Sequence, residues 1–291
     1  MLEGVLIRGY GGFYYIQAEG RVWVCSLRGR LRHQGRNILA GDRVLIRPLK
    51  GDRAVVEEIR PRVTELQRPP VANVEQVVIV ISLVQPSPDR RLLDRLLVLT
   101  ECSGIEPVVC LNKADLVPPA ESRELAAVYC RAGYPVLVTS ALEGTGMEEL
   151  KQRLSGKLTV FAGPSGVGKS SLLNALQPGL SLRTGEVSRK IGRGRHTTRH
   201  VELLPLSFGG WVADTPGFSV VDLPRIRREE LAGCFPELAP FYGRCQFNSC
   251  LHRGEPGCAV AEARRSGEID PQRYENYLLF LEEVILQERK Y

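Results

Sequence analysis

The sequence predicts a multidomain α/β chain with a small N-terminal β-barrel, a central, mostly parallel sheet with flanking helices, and a helical C-terminal segment built around a metal cluster. Three observations carry this. Residues 1–60 are short β-rich runs cut by glycine turns. The middle alternates apolar runs with helix-length segments, and one run, Leu158–Ala162, leads straight into a Gly-rich loop. Near the C-terminus, three cysteines and one histidine fall between Cys245 and Cys258.

In the first part, Val5–Ile7, Phe13–Ile16, Arg21–Val24, Arg43–Ile46 and Ala54–Val56 read as strands, separated by turns at Gly11-Gly12, Gly20, Gly41 and Gly51. Five short strands fit an OB-like barrel, a common oligonucleotide binder. Another small barrel with a solvated basic face is the alternative. Residues 1–68 hold thirteen Lys/Arg against seven Asp/Glu, which gives +6; the whole chain is also +6, so the remainder sums to zero. A basic domain beside a neutral remainder suggests a phosphate-rich partner. Arg28, Arg30, Arg32 and Arg36 lie on the long third connection, where they could follow a nucleic-acid backbone. Residues 60–70 read as a polar, Pro-containing linker. The domains are expected at 1–68, 69–224 and 225–291.

The sheet begins at Val74–Ile81 and its first helix at Asp89–Cys102. After Leu158–Ala162, the loop Gly163-Pro164-Ser165-Gly166-Val167-Gly168-Lys169-Ser170-Ser171 fits the phosphate-loop pattern, and Ser170–Leu176 opens a helix. The glycines let backbone N–H groups turn inward toward an anion, and the helix N-terminus adds to that field. Lys169 would reach the β- and γ-phosphates, and Ser170 would ligate Mg²⁺. A ligand-free Gly-rich turn is the bland alternative.

Asn112-Lys113-Ala114-Asp115 follows the apolar run Pro107–Leu111. The Asp carboxylate of such a motif accepts two hydrogen bonds from the guanine N1–H and amino group; adenine would leave the buried charge unpaired. Thr139-Ser140-Ala141, after Val136–Val138, looks like the companion motif whose backbone N–H meets guanine O6. Both lie at the carboxyl ends of expected strands, where open α/β sheets bind ligands. The base motifs precede the phosphate loop, the reverse of the usual order, so the sequence predicts a circularly permuted GTPase domain.

Asp214-Thr215-Pro216-Gly217 ends a further expected strand. There Asp214 would hold the Mg²⁺ shell and the Gly217 N–H would sense the γ-phosphate. Between loop and strand, residues 183–199 carry six Lys/Arg and one acid, Glu186. This is where a GTPase places its first switch, and Thr197 or Thr198 could give a second hydroxyl to the metal. Phe218 stands where Ras-like enzymes place a water-orienting glutamine, and a phenyl ring cannot do that work. His196 is then the nearest candidate in sequence to orient the attacking water; contact with RNA phosphate is its other reading.

Cys245, Cys250, His252 and Cys258 offer three thiolates and an imidazole, the donor set of a closed, structural zinc site. Free thiols and a disulfide pair are the alternatives. The remaining cysteines, at 25, 102, 110, 130 and 234, have no framework spacing and are expected to be free buried thiols in a reducing cytosol. Beyond the cluster, Asp270 can N-cap a helix with Pro271 at its first position, and Tyr274, Tyr277, Leu278, Leu281, Val284 and Ile285 form its apolar stripe. No apolar run approaches a membrane span, and no N-terminal signal pattern is visible.

Taken in order, Asn112–Asp115, Thr139–Ala141, Gly163–Ser171, Gly192–Thr198, Asp214–Gly217 and the Cys/His cluster resemble the ribosome small-subunit-dependent GTPase A (RsgA) family over nearly the whole chain. The resemblance implies a cytoplasmic GTPase acting in late maturation of the small ribosomal subunit, with hydrolysis stimulated by that subunit. Its ligands would be GTP or GDP with Mg²⁺ and one structural Zn²⁺. Its partners would be the subunit and its rRNA, with no membrane, and the chain is expected to be a monomer. Two rivals stand beside it: a nucleotide-gated RNA-binding module with little hydrolysis, and a GTPase acting on a different RNA.

Overall fold

The computed structural model describes residues 1–29, 31, 37–180, 201–214 and 222–289. Residues Arg30, Arg32, Arg36, His196, Thr197, Thr198, Thr215, Pro216, Gly217 and Phe218 therefore lie outside the described residues.

The barrel strands are β1 (Leu2–Tyr10), β2 (Phe13–Ala18), β3 (Arg21–Leu27), β4 (Arg43–Pro48) and β5 (Arg53–Ile59), closed in the order β1-β2-β3-β5-β4. The β3–β5 contact is parallel and β1–β4 antiparallel, so the five strands leave no free edge. Alternation drives this: Leu6, Ile16, Trp23, Val44, Ile46 and Val56 face inward and are buried, while most of their neighbours are partly or fully exposed.

The expected linker has structure of its own. Glu65–Gln67 (β6) pairs antiparallel with Pro70–Ala72 (β7). Arg62 grips the fully buried Asp42 carboxylate through Nε (2.8 Å) and Nη2 (2.9 Å), and Asn73 Nδ2 donates to the Gly41 carbonyl (2.9 Å). The correction has a physical reason. Side chains of the segment satisfy buried polar groups of the barrel, and that long-range pairing is invisible to local polarity.

The mixed sheet contains β8 (Gln76–Ser82), β9 (Glu106–Asn112), β10 (Val136–Thr139), β11 (Leu158–Ala162), β12 (Glu202–Pro205) and β13 (Trp211–Asp214), in the order β10-β9-β8-β11-β13-β12. β9 and β10 are parallel with Asn112 opposite Thr139; β11 and β13 are also parallel, while β12 runs antiparallel to β13. The central strands read Val-Val-Ile-Val-Ile and Leu-Thr-Val-Phe-Ala because both faces are buried. The helices are α1 (Arg90–Cys102), α2 (Pro119–Arg131), α3 (Met147–Leu154), α4 (Lys169–Leu176), α5 (Ala259–Ser266) and α6 (Pro271–Glu288).

By contacts the chain divides into two compact units. One comprises Met1–Val77, Met147–Ala162 and Lys169–Phe218; the other comprises Val78–Gly146, Gly163–Gly168 and Ser219–Tyr291. The second holds the base motifs, the first half of the phosphate loop and the Cys/His cluster together. Within it, Asp270 caps α6 as expected, accepting from the Arg273 N–H at 3.0 Å. The apolar stripe of α6 is joined by Phe280, which is fully buried. The face also carries Arg273 and Asn276, both buried, which hydrophobic periodicity alone does not find.

The expectation of five free thiols is corrected. Cys102 and Cys234 are disulfide-bonded with a Cα–Cα distance of 6.0 Å, Cys130 is free but exposed rather than buried, and Cys25 and Cys110 are free and buried as expected. A separation of 132 residues carries no spacing signal, so only tertiary packing could bring the pair together.

Candidate nucleotide site and metal centre

The phosphate loop has the backbone that its glycines promise. Gly163, Gly166 and Gly168 adopt φ of +127°, +83° and +98°, a region that L side chains rarely enter. A Cβ on Gly163 would collide with the Val80 carbonyl of β8, and one on Gly168 with the Asn112 side-chain amide. The cradle is thus sealed by the sheet on one side and by the base motif on the other, and it fits a group held by backbone N–H donors. Lys169 opens α4, and burial alone lowers its ammonium to about 8. A cation held in such surroundings regains its charge when an anion arrives.

The base motif is tied to this loop by hydrogen bonds. Asn112, at the end of β9, donates from Nδ2 to the Val167 carbonyl at 2.8 Å and accepts on Oδ1 from the Thr139 hydroxyl at 3.2 Å. Cys110 Sγ lies 3.3 Å from the same hydroxyl, and burial pushes its thiol up to about 12. Asn112, Thr139 and Ser140 are buried, and these contacts orient the first two side chains inside the protein. Asp115 is half-buried, in a 3₁₀ turn over Ala114–Leu116. The Ser140 loop is held by Ser140 N–H to the Thr145 carbonyl (3.0 Å) and Gly144 N–H to the Ser140 carbonyl (2.9 Å).

The loop between β8 and α1 was not anticipated from the sequence as part of the site. Lys113, in the left-handed region at φ 66°, donates Nζ to the Gln85 carbonyl, and Pro86 faces the Gly166 Cα. The loop between β8 and α1 thus borders both motifs. Its signal was its position: a Pro-containing loop leaving the carboxyl end of a buried strand. In the other unit, Asp214 is buried at the carboxyl end of β13, which runs parallel to β11. Of the expected backbone-tracking arginines, Arg28 is described; its Nη1 is bonded to Glu57 at 2.6 Å, and Arg47 Nε bonds the same carboxylate at 2.9 Å.

The Cys/His residues meet at one point. The His252 Nδ1 lies 3.5 Å from Cys245 Sγ and 3.6 Å from both Cys250 Sγ and Cys258 Sγ. A single ring nitrogen cannot make three hydrogen bonds at once. Tetrahedral zinc with bonds of about 2.3 Å to sulfur and 2.0–2.1 Å to nitrogen places S and N about 3.6 Å apart. The donor set and its spacing therefore fit zinc. The surroundings are equally specific: Tyr274 OH donates to the His252 carbonyl (2.8 Å), Tyr277 OH to the Leu251 carbonyl (2.7 Å), and the Glu255 carboxylate accepts from the Leu251 and Arg253 N–H groups (2.9 and 2.7 Å). These bonds orient the loop that carries two ligands.

Comparison with known proteins bears directly on this arrangement. The RsgA GTPase family profile matches residues 59–224, and the RsgA N-terminal domain profile matches residues 3–56. The chain belongs to the RsgA GTPase family. Like its family, it is a GTP-hydrolysing enzyme. It is 59% identical over 290 residues, covering 100% of both chains, to the small ribosomal subunit biogenesis GTPase RsgA of Moorella thermoacetica. A protein of the same name from Caldanaerobacter subterraneus is 48% identical, over 99% of this chain and 98% of the relative. Among solved structures, YjeQ from Thermotoga maritima matches with TM-score 0.87 and 39% identity over 98% of each chain. YloQ, described as a circularly permuted GTPase, matches with TM-score 0.83 and 38% identity over 99% of this chain and 96% of the other. The reversed motif order of this RsgA-family chain is therefore a circular permutation of the GTPase domain, flanked by an OB-like barrel and by C-terminal helices around the Cys/His cluster.

Proposed function

We propose that this GTPase binds the small ribosomal subunit through its rRNA and acts in late maturation of that subunit, with the subunit stimulating hydrolysis. The observation that supports nucleotide binding most directly is the Asn112 side chain, which joins the guanine motif to Val167 of the phosphate loop at 2.8 Å. One purine nucleotide can then be held at both ends. The relatives' role in small-subunit biogenesis, which their name states, supplies the ribosomal partner, and the excess basic charge of residues 1–68 agrees with an RNA ligand.

In this reading Asp115 accepts from guanine N1–H and the amino group, the Ser140–Ala141 backbone meets O6, and Asn112 and Thr139 keep these loops in register. The Gly163–Ser171 backbone cradles the phosphates and Lys169 offsets charge that develops on the γ-phosphate. Ser170 and Asp214 would hold Mg²⁺, with Thr197 or Thr198 adding a hydroxyl; the metal supplies neutralisation of β,γ-phosphate charge. The Gly217 N–H reads the γ-phosphate, and His196 orients the attacking water. Cys245, Cys250, His252 and Cys258 hold one structural Zn²⁺. The working domains are residues 1–68, 69–224 and 225–291, in a monomer. No helix among the described residues is long and apolar enough to cross a membrane, and a cytoplasmic location follows from the ribosomal partner.

The test is GTP turnover with and without purified small subunits. Acceleration by the subunit is expected; equal rates would overturn the partner assignment. Competition among GTP, GDP and ATP tests the base reading, which requires Asp115→Asn to lose the guanine preference.

A further inference from the structure

We infer that Cys102 and Cys234 form a reversible thiol–disulfide clasp, which fixes the C-terminal metal-binding segment to helix α1 and is made and broken by exchange with small-molecule disulfides and thiols. Cys102 is the last residue of α1, and Cys234 ends the 3₁₀ turn Leu231–Cys234. Both pack in the core formed by α6, Phe235 and the cluster loop.

The sulfurs are brought together by contacts that do not depend on the bond. Arg90 pairs with Asp270, Arg95 with Glu283, and Arg273 with both Asp94 and Glu237. Asp94 lies two turns before Cys102 on the same helix, and Glu237 lies three residues after Cys234. Docking of α6 on α1 thus presents the two thiols at bonding range, Cα–Cα 6.0 Å, whether or not they are oxidised. Intramolecular closure then outcompetes a second small thiol, as effective concentration requires. Cys102 is half-buried beside exposed Gly104, so a small disulfide can reach it, whereas Cys234 is 7% exposed.

The chemistry balances. The Cys102 thiolate attacks a small-molecule disulfide, forms a mixed disulfide and expels one thiolate. The Cys234 thiolate then attacks the Cys102 sulfur and expels the second. Two protein thiols are oxidised, one small disulfide is reduced to two thiols, and the reverse sequence opens the clasp. The other cysteines do not compete. Cys25 and Cys110 are buried, Cys130 is exposed with no partner thiol bonded to it, and the remaining three belong to the Cys/His cluster. In a reducing compartment a bond of this kind is more often a transient or sensing device than a permanent staple.

The ring that the clasp closes runs from 102 to 234 and contains Asn112–Asp115, Thr139–Ala141, Gly163–Ser171 and Asp214. Oxidation therefore restricts the unfolded chain across the whole nucleotide-binding region while leaving the native contacts in place.

The experiment uses the full-length protein equilibrated with either oxidised or reduced glutathione, with zinc present. Thiols are then alkylated in denaturant with a chelator and counted by intact mass and peptide mapping. After oxidation Cys102 and Cys234 should be unlabelled and carry no glutathione, a mixed disulfide at exposed Cys130 being distinguished by its added mass, and after reduction all eight cysteines should be labelled. The oxidised form should melt roughly 5–15 °C higher, and the difference should vanish in Cys102→Ser and, as a second variant, Cys234→Ala. Eight labels under both conditions, protection of a different pair, or a melting difference that survives in either variant would overturn the clasp.

Discussion

Replacing Arg273 by Met should cost this protein a large share of its stability. The guanidinium is 1% exposed and the Asp94 side chain fully buried. Arg273 Nη1 bonds Asp94 Oδ1 at 2.8 Å, while Nε and Nη2 grip Glu237 in a two-pronged pair at 2.7 and 2.8 Å; its cation lies 4.8 Å from the Phe235 ring centre. Burial alone works against the charge, but Asp94 and Glu237 outweigh it and hold the guanidinium protonated far above the usual arginine range. With Arg273 removed, Asp94 keeps the Tyr129 hydroxyl (3.0 Å) and the Asn276 amide (2.6 Å), but Glu237 loses both prongs. Stranding buried carboxylates in this way costs about 3–5 kcal/mol. At roughly 2–4 °C per kcal/mol, the melting temperature should fall by about 6–20 °C, measured by calorimetry or urea titration. Adding Asp94→Asn and Glu237→Gln should recover most of the loss, because an uncharged cluster of similar volume strands no charge. A single variant melting within about 2 °C of the parent, or a triple variant no better than the single one, would refute the argument.

Gly163→Ala should abolish nucleotide binding by direct fluorescence titration, because its φ of +127° and the adjacent Val80 carbonyl leave no place for a methyl group. GDP affinity should be flat from about pH 7, where the terminal phosphate is ionised, to pH 8 and fall above it. Burial lowers free Lys169 to about 8, the complex keeps the proton that the free protein then releases, and affinity drops toward tenfold per pH unit. A profile with no bend before pH 9.5, or the same bend in Lys169→Gln, would contradict this assignment. Elemental analysis should find one zinc per chain, and Cys250→Ser should lower that content together with the melting temperature, since a fourth ligand is lost from a closed site.

The local patterns of this protein were legible in its sequence: the glycine-rich loop takes the backbone its residues predict, and the four Cys/His residues meet. A phosphate loop needs glycines at fixed offsets, a guanine motif needs an Asn–Lys–x–Asp run at a strand end, and a zinc site needs soft ligands close together. All three are short-range patterns, and so are the strand alternation of the barrel and the Asp270-Pro271 start of α6. What only the tertiary structure decided is which distant groups meet. The pairing of Arg273 with Asp94 and Glu237, the Cys102–Cys234 bond, the Asn112–Val167 tie and the Arg62–Asp42 anchor that turns an expected linker into ordered strands all join residues far apart along the chain. Periodicity records which face of an element is buried, because that repeats every two or every 3.6 residues. Nothing local records the partner on the other side, because a buried charge or thiol is matched through folded space and not through spacing.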